Sequence, residues 1–233
     1  MIGLLASTTV MTAASVLGYN AIAPRSQLFG TTFTDNKRHE KQLARTFDGG
    51  PNDRSTPALL GVLDKHGGKA TFFMIGRNVA AHPEIVRATA RAGHVIGNHT
   101  AKHPDLIFCS GNQVRAQLLA CREALESAVG EHSTLFRPPY GRRRPQVIKI
   151  ASELELSTVM WSVMAYDWQP SPAWKIEAKV ARQITNGDVI LLHDGGHLGL
   201  RADRAQTIVA TDKIIRQYLE QGFSFVTVPQ MME

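Results

Sequence analysis

The 233-residue sequence predicts an α/β fold, a (β/α) barrel on about seven parallel strands. Three observations predict it. From Leu43 onward, short apolar runs alternate with segments of helical spacing, the pattern of a parallel sheet whose crossovers are helices. Neither a long linker nor an internal repeat interrupts that alternation, so residues 43–233 read as one domain. The first strand is followed by no dinucleotide fingerprint or phosphate-binding glycine loop, which favours a barrel over a doubly wound sheet.

The predicted strands are Leu43–Phe47, Ala70–Met74, His94–Asn98, Leu135–Arg137, Thr158–Val163, Val189–His193 and Phe223–Val228. Between the first two, Ser55 or Thr56 is placed to cap a helix that buries Leu59, Leu60 and Leu63 and stops at Gly67. Pro83 opens the next, which carries Ile85 and Val86 and stops at Gly93. A long helix spans Gln113–Val129. The last is striped by Ile208, Ile214, Ile215, Tyr218 and Leu219 and stops at Gly222. Residues 25–42 form a lead-in. Before them, Met1 to Pro24 holds no charged residue. That stretch is short and polar for a membrane span, and Ala21-Ile22-Ala23 has the small-x-small form of an export cleavage site. The lack of a basic residue before Arg25, and Pro24 itself, argue against export. A weak anchor and an ordinary first strand stay open. Secretion or envelope attachment is favoured over the cytoplasm, and membrane attachment, if any, is expected only through residues 1–24.

Lys plus Arg exceed Asp plus Glu by 26 − 20 = 6. This charge suits approach to nucleic acid, an anionic membrane or an acidic wall polymer. It is dispersed, however, and the compact run Arg142-Arg143-Arg144 reads as a solvated loop. With no nucleic-acid module present, nucleic acid is not an expected partner. Cys109 and Cys121 are too few for a disulfide scaffold, and their spacing does not require that they pair.

Barrel chemistry gathers where strands run into loops. Five such places carry polar groups: Thr46-Phe47-Asp48-Gly49-Gly50-Pro51, Asn98 to His103, Phe136-Arg137-Pro138-Pro139-Tyr140-Gly141, Tyr166-Asp167-Trp168 and Leu191-Leu192-His193-Asp194. His99 and His103, four apart, can face one side and chelate a divalent metal, although such a pair alone is a weak signal. Asp48 before Gly-Gly-Pro is exposed at the rim or bonds its own turn. Arg137 before Pro138-Pro139 sits in a stiff loop or makes a structural ion pair. His193 on a buried strand is a catalytic or a core histidine. Trp161, Trp168 and Trp174 can stack on sugar rings or fill core.

These five segments, in this order, resemble the motifs of polysaccharide deacetylases of the NodB-homology type, carbohydrate esterase family four. The likeness runs from about Leu43 to Val228. It implies a distorted (β/α) barrel that removes acetyl groups from N-acetylglucosamine-type glycans such as chitin oligomers or peptidoglycan. By resemblance, Asp48 is the general base, oriented by Arg137, and His193 is the general acid, tuned by Asp167. His99 and His103 are metal ligands, for zinc first and otherwise cobalt, nickel or manganese. Pro138 and Tyr140 border the substrate, the Tyr140 N–H facing the oxyanion. Trp168 walls the pocket and Leu191 receives the acetyl methyl. The family's first motif reads Thr-Phe-Asp-Asp-Gly-Pro, and its second aspartate binds metal. Here that position is Gly49. Weakened metal binding is therefore expected, with three resolutions open: extra waters, Asp48 as a ligand, or a substitute carboxylate such as Asp53. A catalytically silent sugar-binding protein is the alternative function, and hydrolysis of a small cyclic amide a weaker one.

Overall fold

The computed structural model describes residues 15–38, 40–197 and 202–233. The apolar residues before 15, on which the export reading mostly rests, lie outside the described residues. Among the described residues one sheet carries β1 (Gln42–Asp48), β2 (Thr71–Met74), β3 (Val95–Asn98), β4 (Leu135–Phe136), β5 (Ser157–Thr158), β6 (Val163–Met164), β7 (Asp188–His193) and β8 (Ser224–Val226). Its order is β5-β4-β3-β2-β1-β7-β6, with β8 added on β1. The strands pair in parallel throughout, as helical crossovers require.

Strand alternation sorts β1 cleanly. Leu43 and Phe47 join the apolar layer beneath the helices, whereas Ala44 joins a smaller inner cluster with Phe73, Trp161, Val189 and Leu191. The helices are α1 (residues 15–22), α2 (Ser55–Lys65), α3 (Gly76–Ala81), α4 (Pro83–Arg91), α5 (Gly111–Val129), α6 (Pro145–Glu153), α7 (Ala173–Ala181), α8 (Ala205–Glu220) and α9 (Val228–Met232). None of those described is long and apolar enough to cross a membrane.

The ring curls but its sheet does not close, because the predicted fifth strand Thr158–Val163 is split into β5 and β6. Its middle gives its backbone groups elsewhere: the Val159 and Met160 carbonyls accept from the Arg137 guanidinium at 3.1 and 2.8 Å. The lead-in fills the seam, with Phe33 bridged in parallel to Val159 and Asp35 antiparallel to Asp188.

Four further expectations change. The described part of the apolar N-terminal stretch is helix, not strand. Neither Ser55 nor Thr56 is the N-cap of α2; the Asn52 carboxamide oxygen instead accepts from the Arg54 and Ser55 N–H groups at 3.0 and 2.9 Å. The last predicted strand ends early, at Val226, because Thr227 and Gln230 form a capping box that starts α9. Arg143 is not solvated: it is 1% exposed and donates to the carbonyls of Gly141, Ala23, Pro24 and Ser26. Cys109 and Cys121 are free thiols.

Candidate active site

The ends of β1 and β7 set the centre of the site. Asp48 and His193 are register partners on these neighbouring strands, so their backbones lie about 5 Å apart and both side chains face inward. Arg137, fully buried just beyond β4, reaches across the ring. Its Nη1 donates to Asp48 Oδ1 at 2.8 Å and to Thr46 Oγ1 at 2.7 Å, and its guanidinium lies over the Phe73 ring. Burial lifts the Asp48 carboxyl above its ordinary value, and Arg137 pulls the other way. The result is a buried carboxylate held in one orientation.

Asp167, in the loop after β6, grips His193 twice. Its carboxylate accepts from the His193 backbone N–H and pairs with Nδ1, each at 2.8 Å, and also accepts from Thr207 at 3.0 Å. Burial alone would lower the His193 pKa, but the Asp167 charge and hydrogen bonds outweigh it and raise it. The reciprocal attraction lowers Asp167 despite its burial. With Nδ1 fixed, Nε2 is the free nitrogen.

His99 and His103 come together at the other side of Asp48. The His99 Nδ1 pairs with the Arg137 carbonyl at 2.7 Å, and its Nε2 stands 3.7 Å from Asp48 Oδ2. The His103 ring sits edge-on to His99, centroids 4.9 Å apart, and its Nδ1 is buried with no hydrogen-bond partner. Burial pushes the two histidines down to about 3 and about 2, so both are neutral, the form that ligates metal. An orphaned nitrogen beside a carbonyl-oriented neutral imidazole suits a divalent cation. Still, no group of three His, Cys, Asp or Glu among the described residues converges on one point as the side chains stand.

Glycine at position 49 explains part of that. Its φ is +92°, and an added Cβ would lie 3.1 Å from the Gly195 carbonyl carbon and 3.2 Å from the Gly196 nitrogen. Asp53 is exposed in the turn before α2. Asp48 is engaged by Arg137.

Rims and floor follow. Leu191 is buried inside the ring on the same face of β7 as His193. Trp168 lies edge-on to His193 at 5.3 Å and against Tyr166 at 5.2 Å. Pro138 leads extended into Tyr140, whose left-handed φ of +59° carries its ring to within 4.7 Å of His103. Trp161 is core and Trp174 lies exposed on α7. Sequence reasoning missed His197, whose ring stacks on His103 at 4.7 Å. A second histidine four residues after His193 was the available signal. It also missed the buried Asp194, which accepts from Thr56 at 2.7 Å and is raised to about 6 by burial.

The polysaccharide deacetylase family model matches residues 35–159. A peptidoglycan-N-acetylglucosamine deacetylase of Bacillus cereus is 39% identical over 84% of this chain and 70% of its own length. A chitooligosaccharide deacetylase of Azorhizobium caulinodans is 33% identical over 82% and 95%. The crystal structure of the Bc1960 peptidoglycan N-acetylglucosamine deacetylase superposes with a TM-score of 0.80 at 37% identity, covering 86% of this chain and 91% of that one. A pseudoenzyme of carbohydrate esterase family four, BA3943 from Bacillus anthracis, also superposes at 0.80, with 27% identity over 87% and 69%. With its motifs standing at the strand ends of a matching ring, the chain belongs to the polysaccharide deacetylase family, whose members are metal-dependent amide hydrolases.

Proposed function

We propose that this chain removes N-acetyl groups from N-acetylglucosamine-type glycans, peptidoglycan or chitin oligomers, releasing acetate and a free amine. The observation that carries this reading is the register pairing of Asp48 with His193, each held by its own partner, Arg137 and Asp167. Asp48 takes a proton from the attacking water as its oxygen bonds to the acetyl carbon. His193 gives a proton to the amide nitrogen as the C–N bond breaks. Asp167 holds His193 charged and correctly turned, and Arg137 aims Asp48. His99 and His103 are the side chains that would hold the metal, zinc by preference, whose contribution when bound is Lewis acidity toward the carbonyl oxygen. Leu191 and Trp168 shape the acetyl and sugar pocket, and Pro138 and Tyr140 its opposite lip. A wall-glycan substrate supports a secreted or envelope location.

Acetate release from chitin oligomers and peptidoglycan, compared with Asp48→Asn and His193→Ala, tests this. Each variant is expected to lose roughly 10²- to 10⁴-fold in rate. Full activity in either variant would overturn its assigned role. The glycine at position 49 favours a second reading, a silent sugar binder, which would quench tryptophan fluorescence with chitin oligomers yet release no acetate.

A further inference from the structure

We propose that His197 serves as the third metal ligand of this chain, taking the place of the carboxylate that Gly49 lacks. This rests on the metal-dependent reading of the site and deepens it. Catalytic zinc sites commonly use three protein ligands, and three imidazoles are one established set. His99 and His103 supply two, and a further histidine stands against them: the His197 ring lies 15° from parallel to His103, and Tyr140 packs edge-on to both.

Gly49 and the loop that carries His197 are linked in space. Any side chain at 49 would press its Cβ onto the Gly195–Gly196 backbone. With glycine there, that loop closes on the end of β1. The Asp194 and Gly195 N–H groups both reach the Asp48 carbonyl, at 3.2 and 3.4 Å, and Asn78 bonds the Gly49 carbonyl at 2.9 Å. Arg204 holds the Gly195 carbonyl at 2.9 Å, and Arg77 donates to the carbonyl of His197 itself. Glycine at 49 thus leaves room for the close approach of the backbone just before His197. Because stacked rings do not aim at a common point, binding includes a rotation of the His197 side chain away from the stack. The unpartnered Nδ1 of His103 is the polar group that such a site would satisfy.

The test is titration of the full chain with Co²⁺ alone, read by calorimetry and by the visible absorption that reports low coordination number, in wild type, His197→Ala, His197→Asp and His103→Ala. Thermal melts establish that each variant is folded. We expect His197→Ala to weaken binding at least about 10-fold and to lose the absorption band, since even second-layer partners of metal ligands are worth 10- to 100-fold. His197→Asp, which restores a donor, should recover part of both. Binding by His197→Ala indistinguishable from wild type, with His103→Ala impaired, would overturn the proposal and leave the two-histidine site standing. No uptake of Co²⁺ by wild type would overturn both.

Discussion

Arg137 donates to four oxygens inside the ring, those of Thr46, Asp48, Val159 and Met160, and is fully buried. Its charge is tolerable there only because Asp48 answers it. Removing one member of such a pair leaves the other buried and uncompensated, so Arg137→Ala should destabilise the chain by about 3–5 kcal/mol in urea unfolding. A loss under 1 kcal/mol would mean that the pair is of little structural account. Asp167 acts differently, through charge state. His193 sits above its ordinary 6.5 in the folded chain, so its stabilisation is complete below the unfolded value and fades as pH rises through the folded one. In the proposed mechanism protonated His193 is the acid, and the alkaline limb of kcat/KM should therefore lie above 6.5. In Asp167→Asn burial and Arg204 still lower His193 while the principal raising charge is gone and Asp48 alone opposes them, so that limb should move to lower pH; an unmoved limb would assign it to another group. At Gly49 the left-handed backbone and close loop make Gly49→Asp strained by roughly 1–3 kcal/mol, visible as a lower Tm. Restoring the family carboxylate is thus not a neutral change in this chain.

At the scale of elements, end chemistry decides where helices begin. The α5 N-terminus, with Ser110 and Gln113 in a reciprocal capping box, is readable from the Ser-x-x-Gln spacing, and its end at Gly130, φ +78°, is the usual left-handed stop. For α2 the cap comes from Asn52, ahead of the serine and threonine that the sequence offered. Asn52→Ala should lower stability by about 1 kcal/mol, measured by thermal melting, and an unchanged Tm would return the capping role to its neighbours. The split of the fifth strand was not legible, since nothing in Thr158–Val163 itself shows that a distant arginine takes its carbonyls.

Across the whole molecule, described residues of the lead-in complete the ring. Phe33 and Asp35 bridge the seam, while Ala23, Pro24 and Ser26 satisfy the buried Arg143. A chain lacking residues 1–37 should melt well below the full chain, whereas one lacking residues 1–18 should melt close to it. Equal melting of the two truncations would show that the seam contributes nothing. Val16, Leu17, Tyr19 and Ile22 remain exposed on α1.

The strand-and-helix alternation and the five strand-end motifs lay in the sequence, because burial patterns and turn residues act locally and motif order survives without coordinates. The placing of Asp48 and His193 at strand ends lay there too, and the structure adds that they are register partners. Three things needed the tertiary structure: Arg143 turning from a solvated residue into a buried staple, the lead-in sealing the ring, and His197 standing on His103. Each joins residues far apart in the chain or depends on how closely two loops approach, and only the curling of the open sheet sets those distances.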